Sequence, residues 1–249
     1  MLGLPDSITA YLFDLDGVLT PTAVVHRKAW KRTFDDFLTD RADAGAHTAE
    51  ENLEPFTDAD YFAYVDGRPR ADGVRTFLRS RGIELPEGRP DDPPGFGTVA
   101  ALGNRKNERL LAVIESEGVT PYSGSLHYLR LAYEAGARIG VVTSSANGRS
   151  VLEGAGLMPY VHVLIDGNVI RERGLNGKPA PDSFLAGAEA LHVAPSETAV
   201  FEDAVSGVEA GRSGHFGWVV GVDREGQADA LRTHGADVVV TDLGDLLDP

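Results

Sequence analysis

An apolar run that stops in two carboxylates, Tyr11-Leu12-Phe13-Asp14-Leu15-Asp16-Gly17-Val18-Leu19-Thr20, constrains this chain more than any other stretch. Ala10 to Phe13 predicts a short buried strand, and Gly17 lets the backbone leave the sheet just beyond it. Extended chain alternates its side chains, so Asp14 and Asp16 are expected on one side with Leu15 on the other. Two such charges repel unless a cation lies between them. A calcium loop of the D-x-D type does not fit, because its sixth and twelfth positions, which need Gly and Glu, hold Leu19 and Val25. A solvated surface turn is the other bland reading, and the apolar strand feeding straight into the acids argues against it.

Bulk properties narrow the partners. At 249 residues, with 42% hydrophobic and 24% charged residues, the chain is long enough for a full core plus a smaller insert. A formal charge of -15 opposes nucleic acid and anionic membrane, so a phosphate ligand must meet a local cation or a metal. Cysteine is absent, which excludes a disulfide framework, a thiolate nucleophile and a cysteine metal cluster. The opening MLGLPDSITA has no basic region followed by an apolar stretch, and no run approaches membrane-spanning length, so a cytoplasmic location is expected.

After Thr20 the pattern turns helical. Val25, Ala29, Trp30, Phe34, Phe37 and Leu38 predict an amphipathic helix beginning soon after Pro21. Further helices are predicted around Tyr61, Phe62 and Val65, around Val74, Phe77 and Leu78, and from Thr98 through Ile114. Seven of the twelve residues in PEGRPDDPPGFG, 86 to 97, are Pro or Gly, which marks a loop. From Ser125 helix and strand alternate, with strands expected at Arg138 to Thr143, Val161 to Ile165, Thr198 to Phe201, Phe216 to Val222 and Asp237 to Val240. Helical patterns lie between them at Val151 to Ala155, Phe184 to Leu191 and Val205 to Ala210. The fold class is therefore α/β: a doubly wound, mostly parallel, Rossmann-like sheet over residues 1–21 and 119–249, with an all-helical domain, 22–118, inserted after the first strand.

Three further motifs sit where such sheets bind ligands. Thr143-Ser144-Ser145 closes a buried strand ahead of a helix starting near Asn147, and hydroxyls with unpaired N–H groups there can hold an anion, or simply cap the helix. Gly177-Lys178-Pro179-Ala180-Pro181-Asp182 holds one lysine in stiff backbone, suited to a phosphoryl oxygen. Val200-Phe201-Glu202-Asp203 repeats the opening pattern, and oxygen ligands from Asp14, Asp203 and Glu202 suit a hard cation such as Mg2+.

The four motifs, in this order, resemble the haloacid dehalogenase superfamily. The resemblance implies Asp14 as nucleophile, Asp16 as general acid/base and metal ligand through its carbonyl, Thr143 and Lys178 as phosphoryl binders, and Glu202 with Asp203 at Mg2+. The inserted helical unit is similar to the cap of the group that includes β-phosphoglucomutase, matching at Thr22, His26, Gly67, Arg70 and Lys106, while Ser145 and Asn147 stand where that group grips the phosphate not being transferred, with Ser144 a further substrate-binding candidate. What this implies is a monomeric mutase acting on a small phosphorylated sugar through a bisphosphate; the alternative is a phosphatase on the same core. Arg70 is the expected distal phosphate clamp, His26 a proton relay, and Trp30 a wall of the sugar pocket or, sharing helical spacing with Phe34, a core residue. The chain departs from the group at Pro21, where an acidic residue is common, and at Pro69 and Ala71 beside Arg70.

Overall fold

The computed structural model describes residues 2–45 and 47–247. In chain order the elements are β1 (Ala10–Phe13), α1 (Thr22–Asp43), α2 (Asp58–Asp60), α3 (Arg70–Ser80), α4 (Val99–Glu117), α5 (Ser123–Glu134), β2 (Arg138–Val142), α6 (Gly148–Gly154), β3 (Val163–Ile165), α7 (Gly167–Glu172), α8 (Asp182–Leu191), β4 (Thr198–Glu202), α9 (Val205–Ser213), β5 (Trp218–Val222), α10 (Ala228–Thr233) and β6 (Val238–Val240). They divide into two compact units, Met1–Thr22 with Val119–Pro249, and Ala23–Gly118.

The first unit holds a parallel sheet in the order β3-β2-β1-β4-β5-β6. Every residue of β1 and β4 is buried, as a strand covered on both faces requires, and this is why Ala10–Phe13 and Ala199–Phe201 read as apolar runs. The pleat sorts their side chains. Tyr11, Phe13 and Phe201 face α5, where Tyr128 completes an aromatic cluster in which Phe13 and Phe201 stack at 4.3 Å. Aromatic pairs of this kind contribute about 0.5–1.5 kcal/mol each beyond their buried area. Ala10, Leu12, Val142 and Val200 form the opposite face with Phe184, Ala188 and Leu191 of α8. Strand order reverses on either side of β1, so the crevice at the carboxyl ends of β1 and β4 is the switch point where doubly wound sheets bind ligands.

Among its described residues, the regular elements of the second unit are all helical, joined by loops. Its core gathers Phe34, Phe56 and Phe77, whose rings pack at 4.1 to 5.0 Å, with Trp30, Leu78 and Leu102 around them. Thr98 starts α4 by accepting the Ala101 N–H at 3.0 Å, a side-chain N-cap. The loop before it is fastened by Asn104, whose amide donates to the carbonyls of Pro90 and Asp92.

Two differences from the sequence reading have local causes. The segment around Tyr61 and Phe62 is a π-helical turn, Tyr61–Val65, continuing the short α2, whose capping box joins Thr57 and Asp60. Helices α7 and α10 have six residues each, too few for a helical repeat to show.

Candidate active site

The ladder of β1 runs one residue beyond the strand, because the Asp14 N–H donates to the Phe201 carbonyl at 2.9 Å. Asp14 therefore keeps the parity of Leu12 and points toward the α8 face. Glu202 shares the parity of Val200 and reaches the same side. Lys178, in the segment entering α8, lies between them. Its Nζ donates to Asp14 Oδ1 at 2.6 Å, to Glu202 Oε1, and at 3.4 Å to the Val142 carbonyl, and it sits 4.8 Å from the centroid of the Phe184 ring. The Lys178–Pro179 peptide bond is cis.

All three groups are buried, Lys178 to within 2% exposure. Burial pushes the Asp14 carboxyl well above the usual carboxylate range; Lys178 pulls it down, while Glu202 and Asp16 push it up. Burial disfavours the ammonium of Lys178, but Asp14 and Glu202 outweigh it and raise that pKa. The charge of each is held in place by the other. Lys178 is thus the group that favours the ionised form of Asp14, the form a carboxylate nucleophile needs, against the burial that opposes it.

Asp16 lies beyond the extended part of the chain, and its charge still acts on Asp14. Beyond Asp14 the chain turns, with the N–H groups of Leu19 and Thr20 both donating to the Leu15 carbonyl at 3.0 Å and Gly17 N–H donating to Thr20 O at 2.7 Å. In that turn one Asp16 oxygen accepts from the Thr22 hydroxyl and the other from Thr143 Oγ1 at 3.2 Å. The cation nearest Asp14 is consequently Lys178, and Asp16 is held by two hydroxyls. The Thr22 contact gives a physical purpose to a residue that the sequence offered only as a match of the insert.

Thr143 also accepts the Ser145 N–H at 3.1 Å, and Ser145 Oγ accepts the Asn147 N–H at 3.2 Å, so Thr143, Ser144, Ser145 and Asn147 form one tight turn at the end of β2 ahead of α6. That turn is braced from α7: Gly167 N–H donates to the Ser145 carbonyl, and the Asn168 side chain donates to the Ala146 carbonyl at 2.8 Å. Sequence reasoning missed Asn168. Asp166-Gly167-Asn168 directly after an expected strand was the available signal, since Asp166 caps α7 through the N–H groups of Asn168 and Val169.

Asp14, Glu202 and Asp203 offer carboxylate oxygens within 4.8 Å of one another. An all-oxygen set fits a hard divalent cation. Gly17, at φ 96°, fits the same purpose, for a Cβ there would overlap the Asp203 carboxylate. Glu202 is additionally engaged, one oxygen by Lys178 and the other by the Ala204 N–H at 3.1 Å, so it anchors the lysine.

The residues expected to bind substrate from the insert lie in the second unit. Lys106, 3% exposed, is 3.0 Å from His26 Nδ1 and 4.9 Å from the centroid of the Trp30 ring. Of the two readings of Trp30, the structure favours the core one: it is 4% exposed and stacked on Phe34 at 5.0 Å. Arg70 opens α3 and its side chain crosses Gly103, whose missing Cβ would lie 3.2 Å from Arg70 Cγ. Gly103 and Lys106 are one turn apart on α4, so His26, Lys106 and Arg70 share a neighbourhood. Gly67 takes a left-handed φ of 69° in the turn before α3.

The family model of the haloacid dehalogenase-like hydrolases matches residues 8–215. The chain is 53% identical to the β-phosphoglucomutase of Mycobacterium tuberculosis over 251 residues, covering 99% of this chain and 94% of that protein. With the β-phosphoglucomutase of Bacillus subtilis the identity is 30% over 237 residues, covering 95% and 91%. Among solved structures, β-phosphoglucomutase from Clostridium difficile has a TM-score of 0.74 at 23% identity, covering 96% of this chain and 93% of that one, a likeness that speaks for the fold.

Proposed function

We infer that this chain, which belongs to the haloacid dehalogenase-like hydrolases, is a β-phosphoglucomutase that interconverts β-glucose 1-phosphate and glucose 6-phosphate through a phosphorylated Asp14 and β-glucose 1,6-bisphosphate. The identity to the M. tuberculosis enzyme along nearly the whole of both chains carries this reading. The unit of residues 1–22 and 119–249 is read as the catalytic core, and 23–118 as its cap.

In this reading Asp14 Oδ attacks phosphorus in line with the departing sugar oxygen. Lys178 offsets the charge gathering on the phosphoryl oxygens and favours the ionised form of Asp14 against its burial. Asp16, oriented by Thr22 and Thr143, gives a proton to the departing oxygen and takes it from the sugar hydroxyl on the return step. Asp14, Asp203 and the Asp16 carbonyl are the proposed holders of Mg2+, with Glu202 beside them; the ion supplies positive charge at the phosphoryl oxygens. In the first unit Ser145 and Asn147, with Ser144 beside them, are the proposed holders of the phosphate that is not being transferred; in the second unit Arg70 is the proposed phosphate clamp, with His26 and Lys106 as further substrate-binding candidates.

Two results test this. Protein supplied with Mg2+, β-glucose 1-phosphate and a trace of the bisphosphate is expected to yield glucose 6-phosphate with little inorganic phosphate, and chelation of the metal is expected to stop it. Phosphate release without isomer identifies a phosphatase instead. Arg70→Ala is expected to lower isomerisation by roughly 10–100-fold, the worth of a charge-assisted phosphate contact, and to spare hydrolysis of a small phosphate ester. Equal losses in the two assays remove the distal clamp.

A further inference from the structure

Arg224 lies two residues beyond β5, and its side chain is 14% exposed. Its Nε donates to the Gly17 carbonyl at 3.1 Å, inside the turn that carries Asp16. The rest of the guanidinium is anchored elsewhere: Nη1 donates to the Thr241 carbonyl at 2.6 Å and to Asp242 Oδ2 at 3.0 Å, and Nη2 to Ser125 Oγ at 3.3 Å. The plane lies over Tyr122, 3.8 Å from its ring centroid.

Tyr122 and Ser125 reach the same turn. Ser125 Oγ donates to the Val18 carbonyl at 2.7 Å, and the Tyr122 N–H donates to the Leu19 carbonyl at 3.0 Å. Three successive carbonyls, those of Gly17, Val18 and Leu19, are thus tethered, and Arg224 contacts the first directly, the partner of the second by hydrogen bond, and the partner of the third by stacking. Asp14 is fixed on the sheet side by its N–H bond to Phe201. Asp16 lies between that fixed point and the tethered Gly17. The aim of its carboxylate depends on both ends being held.

We propose that Arg224 is a positioning residue for phosphoryl transfer: by fixing the Gly17 carbonyl and organising its neighbours, it sets the aim of Asp16 toward the oxygen that gains or loses a proton. The proposal rests on the reading of Asp14 as nucleophile and Asp16 as acid/base. Only a planar fork reaches all four acceptors together, so lysine, a single point charge, retains the contact with Asp242 and loses the others.

The test exploits leaving groups. Acetate departs from acetyl phosphate as a carboxylate and needs no proton, whereas the sugar oxygen of β-glucose 1,6-bisphosphate departs with the proton that Asp16 donates. Phosphorylation of Asp14 by each donor is followed in single-turnover experiments with Mg2+ for wild type, Arg224→Met and Arg224→Lys, alongside melting temperatures. Transfer from the bisphosphate is expected to fall on the order of 10²-fold in Arg224→Met, the scale of an ångström-sized misplacement, while transfer from acetyl phosphate stays within about threefold of wild type. Arg224→Lys is expected to show the same split at a melting temperature nearer that of wild type, and it carries the comparison should Arg224→Met not fold. Equal losses with both donors would reduce Arg224 to a structural role, and unchanged rates with both would dismiss it. A wild-type protein phosphorylated by neither donor overturns the nucleophile reading itself, and with it this proposal.

Discussion

Asp14→Asn is expected to lose turnover by about 10⁴-fold or more while the protein stays folded. An amide oxygen is too weak a nucleophile to displace a sugar phosphate, and in the proposed reading the covalent intermediate forms on Asp14. Folding survives because Lys178 keeps Glu202 as a partner and the amide oxygen can still accept its hydrogen bond. The variant also discards a charge whose burial is unfavourable, as the raised pKa of Asp14 records. Its stability is therefore expected to stay within about 2 kcal/mol of wild type, far from the cost of leaving a buried ion alone. Activity and a denaturant melt on the same preparation check both halves. Residual turnover above that level places the covalent step elsewhere.

Lys178→Met is expected to damage stability as well as activity. It leaves Asp14 and Glu202 close together, both buried, without their common cation. Breaking a buried pair in this way costs about 3–5 kcal/mol. Turnover is expected to fall about 10³-fold, since in the proposed reading the Lys178 charge offsets that of the transferring phosphoryl group. The pH dependence distinguishes the two proteins. In wild type the Lys178 pKa is raised above its unfolded value, so its contribution is fully present below the ordinary lysine range and is lost only as pH climbs through the higher folded value. In the variant the remaining acids repel, which raises a carboxyl pKa in the folded state; such a group favours folding at low pH and penalises it as pH rises through that value. In metal-free buffer the melting temperature of Lys178→Met is expected to decline from about pH 5 to about pH 8, relative to wild type. A constant gap across that range contradicts the picture of two carboxylates sharing one lysine.

The parts of this site that the sequence made visible are those set by local pattern. Ala10–Phe13 is apolar because β1 is covered on both faces, and a carboxylate directly after such a strand has to lie at the ligand-binding edge of the sheet. Lys178 could be suspected from its proline-bound segment, but its hold on Asp14, 164 residues away, comes from the pleat parity of β1 and β4 and the path into α8. The aim of Asp16 was hidden because alternation applies to extended chain and the backbone turns after Asp14. In the helical unit, 80 residues separate Lys106 from His26, and helical spacing alone could not tell whether Trp30 faced a ligand or the core. Arg224 gave less warning still. Its position just past a strand at the ligand-binding edge was the sole hint, and the bond it makes is to a backbone carbonyl, which no side-chain motif records.

The covalent claim can be measured directly. Wild-type protein is mixed with Mg2+ and phosphoryl-labelled β-glucose 1,6-bisphosphate, quenched in acid, digested, and the labelled peptide sequenced by mass spectrometry. The account predicts the label as an acyl phosphate on Asp14, transferred onto sugar monophosphate to regenerate β-glucose 1,6-bisphosphate when the monophosphate is added before the quench. Label on another residue, or isomerisation at full rate with no labelled peptide, would contradict it.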